Sequence, residues 1–234
     1  MPADGFVPGN RLLAALPATV LERLTPELET VPLRNRDVVQ RIGRHAEHVY
    51  FLHSGMGSIV IHMKGGVNVE AATVGNEGML GLSYVLGDTL ATEETMIQLP
   101  GEGSRLRIRV LREEFDREER LRTLLLRYSQ LLMGQIAQGA ACNRLHPIEA
   151  RCARWLLSTH DRVAADTFPL TQDFLALMLG VRRAGVSVAQ HALQQDGLIG
   201  YARGMLTIVD RPGLEAVACE CYDVIRERFD GFFA

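Results

Sequence analysis

The sequence predicts an α+β chain made of an N-terminal β-roll, a long connecting helix and a C-terminal winged helix-turn-helix. Three observations carry that expectation. Short β-rich runs broken by Gly, Pro and Asn fill the chain up to about residue 112. After Leu111 the composition turns to Glu, Arg and Leu at helical spacing, and from Leu170 a short helix, a glycine turn, a second helix and a hairpin follow in order. The expected divisions are 1–115 for the roll, 116–146 for the connecting helix and 147–234 for the winged helix-turn-helix.

Composition sets the outer bounds. With 234 residues, 47% hydrophobic and 23% charged, the chain can bury cores of its own. No apolar run approaches the ~20 residues a membrane span needs. The opening Met1-Pro2-Ala3-Asp4-Gly5 lacks a basic stretch followed by an apolar one, so the expected location is the cytoplasm, with no membrane partner. The net charge of −3 is no sign of a nucleic-acid ligand, so any case for DNA must be local.

The strand runs begin with Val38-Val39 and Val49-Tyr50-Phe51-Leu52. Gly57 to Met63 and Val67 to Ala71 flank Lys64-Gly65-Gly66, where glycines suit a tight hairpin turn. Over Ser104 to Val110, Leu106, Ile108 and Val110 alternate with Arg105, Arg107 and Arg109, as in a half-buried strand. Many short strands at regular spacing fit a sandwich or roll.

A helix is expected from about Asp116 to Asn143, on the order of 40 Å long at 1.5 Å per residue. Leu121, Leu124, Leu125, Tyr128, Leu131 and Leu132 form its apolar stripe, and Gly134, Ala137, Gly139, Ala140 and Ala141 keep its later turns small. Such a stripe suits either a core inside one subunit or a seam between copies. A helix this long between compact units favours pairing with its own copy, and the six positions are expected at that seam. His146-Pro147 ends the helix, and Ile148 to Leu157 opens the next domain with Trp155 facing inward.

In the helix-turn-helix, Thr171 can cap the first helix, Asp173 suits its dipole, Ala176 is small where two helices touch, and Gly180 suits the turn. Leu175, Leu179, Val181, Val186 and Ala189 are expected inside. The outward face is expected to show Arg182, Arg183, Ser187, Gln190 and His191, types that contact phosphates and base edges. Arg183 is the expected base reader, through the bidentate fork that lysine lacks, and Arg182 a phosphate contact. Leu198 to Tyr201 and Met205 to Val209 flank Ala202-Arg203-Gly204 as a wing, with Arg203 meeting the backbone. Thr171, Arg182, Arg183, Ser187, Gln190, His191 and Arg203 form the expected DNA-contact set. A plain helical hairpin with solvated arginines leaves the ordered glycine, small-residue and wing pattern unexplained. Over 147–213, seven arginines face six acids, so affinity for arbitrary DNA should be modest.

Cys142, Cys152, Cys219 and Cys221 include no CxxC pair, which fits neither a disulfide framework nor a four-cysteine zinc knuckle. Buried, reduced thiols are expected. No catalytic residue, metal ligand or cofactor is assigned, the histidines His45, His48, His53 and His62 included.

Taken together, the chain resembles the CRP/FNR superfamily of bacterial transcription regulators over nearly its whole length. The resemblance is carried by Leu170 to Ile199, by Arg211-Pro212-Gly213-Leu214-Glu215, and in the first half by His48 to Ser58 and Ala72 to Leu82. It implies a cyclic-nucleotide-binding-like roll, a homodimer joined along the long helix, a palindromic site on double-stranded DNA, RNA polymerase as a further partner, and no enzymatic activity. By position, Arg183 matches the family's base-reading arginine, while Ala184 and Val188 replace an acidic reader and a later arginine.

Gly78, Met79, Leu80 and Gly81 occupy the family's effector turn in degenerate form, with Met79 where a ribose-holding glutamate stands. From Met79 through Glu94 there is no Lys or Arg, and Asp88, Glu93 and Glu94 add negative charge, so cyclic AMP binding is expected to be absent or much weakened. An iron–sulfur cluster lacks thiolates before Cys142. Two alternatives stand beside the regulator: a cyclic-nucleotide receptor, and a metal-dependent β-barrel enzyme using His45, Glu47 and His48.

Overall fold

The structure is a computed structural model that describes residues 9–64, 68–87, 90–163 and 165–234. The expected Lys64-Gly65-Gly66 turn and Asp88 fall wholly or partly outside the described residues.

Two short helices, α1 (Arg11–Ala14) and α2 (Ala18–Leu24), precede the roll. Its strands are β1 (Glu29–Leu33), β2 (Val38–Gln40), β3 (His48–Leu52), β4 (Met56–His62), β5 (Asn68–Val74), β6 (Met79–Leu80), β7 (Glu94–Leu99) and β8 (Gly101–Arg107), with the short helix α3 (Leu82–Leu86) between β6 and β7. Helices α4 (Ile108–Arg117) and α5 (Glu119–Leu145) follow. The last third comprises α6 (Ile148–His160), β9 (Thr167–Pro169), α7 (Gln172–Leu179), α8 (Arg183–Gln195), β10 (Ile199–Ala202), β11 (Met205–Ile208), α9 (Arg211–Val217) and α10 (Cys221–Phe233).

The roll is two four-stranded sheets, ordered β1-β8-β3-β6 and β2-β7-β4-β5. Alternation places Val49 and Phe51 of β3, Leu106 of β8, Ile97 and Leu99 of β7, and Val74 of β5 in the interior, all nearly inaccessible to water. Asn10 ties the entrance of α1 to this core. Its Oδ1 accepts from Leu13 N as a helix cap, while its Nδ2 donates to Leu52 O at 2.8 Å and Gly78 O at 2.7 Å.

Two sequence expectations are corrected here. The strand expected to reach Val110 stops at Arg107, because Ile108, Leu111 and Glu114 continue on a helical period and are the buried positions of α4. Four of the six positions expected at a dimer seam, Leu121, Leu125, Tyr128 and Leu132, are buried within the single chain, at 1%, 1%, 1% and 8% exposure. Spaced i, i+4, i+7, i+11, they are the inward stripe of α5, and Leu124 and Leu131 are only half-buried beside it. The large apolar residues of α5 left open are Leu126, Met133, Ile136 and, at its last position, Leu145.

By its contacts the chain divides into two compact units, one comprising residues 1–59 and 73–133, the other 60–72 and 134–232, apart from the last two positions. In the second, seven of the thirteen residues of α6 are buried, Trp155 sits at 2% exposure, and its Nε1 donates to Glu70 Oε1 at 3.0 Å.

Candidate nucleic-acid interface

Local chemistry sets each bend of the helix-turn-helix. Thr171 Oγ1 accepts from Phe174 N at 3.2 Å, the N-cap of α7, and Asp173 lies in its first turn. At the other end Gly180 adopts φ 63°, ψ 36°, a left-handed conformation that costs other residues a Cβ clash. Gly180 N and Val181 N then close the turn on Leu177 O and Ala176 O. Buried Arg151 of α6 donates through Nη2 to Leu179 O, satisfying a carbonyl at the end of α7. Burial lowers the affinity of that guanidinium for its proton.

Arg182 is the extended N-cap residue of α8. Along α8 the buried positions are Val186, Ala189, Gln190 and Leu193, a clean i, i+3, i+4, i+7 face, with Leu175, Ala176 and Leu179 of α7 also buried. The open positions include Arg182, Arg183, Ala184, Val188 and His191. Arg183 has a 64% exposed side chain whose Nε lies 3.4 Å from Asp173 Oδ1, an exposed pair that a stronger anion can displace. Ser187 is half-buried and its hydroxyl donates to Gln172 Oε1 at 2.8 Å, linking the two helices.

Gln190 is a correction. Expected on the outward face, it is 1% exposed and both polar side-chain atoms lack a partner. Residue type alone groups its amide with the DNA contacts, whereas the helical period set by Val186 and Leu193 already turns it inward. The same period finds what the contact set omits. Val188, 67% exposed, shares the open face with Ala184 and His191 at i, i+4, i+7 from Ala184.

The wing is built as expected. β10 pairs antiparallel with β11, from Ile199 opposite Ile208 to Ala202 opposite Met205, and β11 pairs with β9. The two loop residues Arg203 and Gly204 take φ 52° and 78°, the positive values of a tight hairpin turn, which places Arg203 at the exposed tip.

At the expected effector turn, Gly78, Met79 and Leu80 are buried and apolar, and Gly81 has φ 90°. Tyr128 of α5 fills the space over this turn. Its hydroxyl accepts from Met79 N at 3.2 Å, and a Cβ on Gly78 would collide with the phenol oxygen. An anion approaching these amides meets a tyrosine hydroxyl instead of a cation. A cleft of about 600 Å³ lies elsewhere, between Ala15-Leu16-Pro17 and the first turns of α5 around Arg120 and Arg127. Among the described residues, His45, Glu47 and His48 do not converge as a metal-holding group.

Residues 150–217 match the family of the Crp-like helix-turn-helix domain. No curated protein matches the chain in sequence. Among solved structures, FixK2 from Bradyrhizobium japonicum superposes with a TM-score of 0.70 at 15% identity, over 82% of this chain and 98% of that one. The c-di-GMP responsive global regulator CLP of Xanthomonas campestris gives 0.65 at 17% identity, over 82% and 99%. A CRP family transcriptional regulator from Thermus thermophilus, TTHB099, gives 0.66 at 18% identity, over 80% and 96%. The fold is therefore that of the CRP/FNR regulators.

Proposed function

From a Crp-like helix-turn-helix domain carried on the CRP/FNR fold, we propose that the protein is a sequence-specific DNA-binding transcriptional regulator acting as a homodimer, with the β-roll adjusting the geometry of the recognition helices. The observation that carries this reading is the open face of α8. Arg182, Arg183, Ala184, Val188 and His191 are presented together on a helix whose opposite face is fully buried, beside a wing tipped by Arg203. Arg183 reads a base edge, Arg182 and Arg203 meet phosphates, and the Val188 methyls suit contact with a thymine methyl. Asp173 holds the Arg183 guanidinium near the start of α8 until DNA displaces it. Thr171 serves as a cap near the duplex backbone.

Dimerisation is assigned to the face of α5 left open in the single chain. Leu126, Met133 and Ala140 recur every seven residues, with Ser129 and Ile136 between them at a three-residue offset, as in a paired-helix seam. Two copies joined there carry two recognition helices, which fit half-sites ~34 Å apart on one face of a duplex. RNA polymerase is the expected further partner, by analogy with the fold.

Fluorescence anisotropy on a DNA site selected by the wild-type protein tests the reading. Arg183→Ala is expected to weaken specific binding by about 1 to 3 kcal/mol and to relax preference at one base pair per half-site. Arg203→Ala is expected to weaken all sequences alike and lower the salt dependence by about one counterion. Unchanged base preference in the Arg183 variant removes it from the reader's role.

A further inference from the structure

The structure gathers a group of side chains that DNA binding does not use. Cys142 and His146 stand four residues apart at the end of α5, and Cys219 and Cys221 stand two apart at the start of α10. All four donor atoms lie within 4.8 Å of one another. The three thiols are buried, at 0%, 6% and 1% exposure, and Ala150 packs against them.

Two of the six separations are close to the edges of a tetrahedral zinc shell, and none exceeds 4.8 Å. A zinc–sulfur bond of ~2.3 Å and a zinc–nitrogen bond of ~2.0 Å at the tetrahedral angle imply edges of ~3.8 Å between sulfurs and ~3.5 Å between sulfur and nitrogen. Cys142 Sγ lies 3.5 Å from Cys219 Sγ, and Cys221 Sγ lies 3.7 Å from His146 Nδ1. His146 Nε2 is engaged 3.1 Å from Glu220 Oε1, the outer carboxylate that fixes the tautomer with the Nδ1 lone pair turned inward. Gln138 Nε2 donates to Cys221 Sγ at 3.1 Å, which suits a thiolate.

The charge around the group fits as well. Three thiolates and one Zn²⁺ leave a net charge of −1. Arg151 and Arg154 of α6 supply positive charge to it, and the Nε of each is buried without a partner. Cys152, outside the group, is raised to about 12, chiefly by burial.

We propose that Cys142, His146, Cys219 and Cys221 form a closed, structural Zn²⁺ site that fastens the start of α10 to the end of α5. Binding transfers no electrons. Each thiol bonds to Zn²⁺ through sulfur and gives up any proton it carries to solvent, and the neutral imidazole supplies Nδ1 while its Nε2–H stays on the ring and donates to Glu220. With four protein ligands no position is left for water or substrate, so the site holds the fold and does no chemistry.

Zinc per chain in full-length protein purified under reducing conditions, and Co²⁺ titration of chelator-stripped protein, provide the test. One zinc per chain is expected, along with the strong visible bands and near-ultraviolet thiolate charge transfer of tetrahedral thiolate-bound Co²⁺. Cys219→Ser should lose both signals, and Cys152→Ala should keep both. Should Cys219→Ser fail to fold, Glu220→Gln on the exposed rim still reports, with zinc affinity about 10- to 100-fold weaker. Substoichiometric zinc with no cobalt spectrum, or a native mass showing a Cys142–Cys219 disulfide, overturns the proposal. These readouts need no DNA, so they are independent of the regulator reading.

Discussion

Gln190 separates residue type from residue position. Its amide is buried with nothing to bond, so an apolar side chain of similar volume relieves an unpaired donor and acceptor. Gln190→Met is expected to raise stability by about 1 kcal/mol in chemical denaturation and to leave DNA affinity unchanged. Loss of DNA binding in that variant would return Gln190 to the contact set. Thr171, Gly180 and the Arg203-Gly204 turn are legible in the sequence because caps and tight turns are decided within three or four residues. His53 in the roll gives a pH prediction. Burial holds its pKa below the ordinary imidazole value, and its Nε2 lies 2.9 Å from Ser104 Oγ. The folded chain thus binds fewer protons than the unfolded one just below about pH 6.5, so stability present above that value is lost as pH falls. The denaturation midpoint should drop between about pH 7 and 5.5, and drop less in His53→Gln; an identical slope would contradict the assignment.

At the scale of elements, α5 shows how one helix carries two apolar faces. The sequence marks its length and its leucines, but spacing alone cannot tell the face that packs inside the chain from the face left open. Leu121, Leu125, Tyr128 and Leu132 take the interior, leaving Leu126, Met133 and Ile136 outside. Met133→Glu is therefore expected to shift the protein to monomers in sedimentation velocity and to make its unfolding midpoint independent of protein concentration, whereas Leu125→Ala costs about 2 to 5 kcal/mol of stability. A dimeric Met133→Glu variant would locate the seam elsewhere. The β8–α4 boundary is illegible for a related reason. The alternation of Leu106, Ile108 and Val110 satisfies a strand until Leu111 and Glu114 add a longer period. Tyr128 ties α5 to the Gly78 turn, so Tyr128→Phe should cost about 1 to 3 kcal/mol by stranding the Met79 amide. Gly78→Ala should cost more, and less again when combined with Tyr128→Phe, because the same phenol oxygen causes the collision.

For the whole molecule, the order of elements is readable because each half has its own period: two in the strands, 3.6 in the helices. What the sequence hides is what distant segments build together. Cys142 and Cys219 are 77 residues apart and belong to no contiguous motif, yet they are brought to 3.5 Å. The effector turn is buried, and α8 keeps an open face that carries Arg182 and Arg183. The most direct test of the account is selection of random duplexes by the wild-type protein beside Met133→Glu. The account predicts a two-fold symmetric motif from the wild type, with half-site centres about 10 base pairs apart or a multiple of that, and a single half-site or no enrichment from the variant. Recovery of no motif by the wild type, or of the same full palindrome by the monomeric variant, would contradict it.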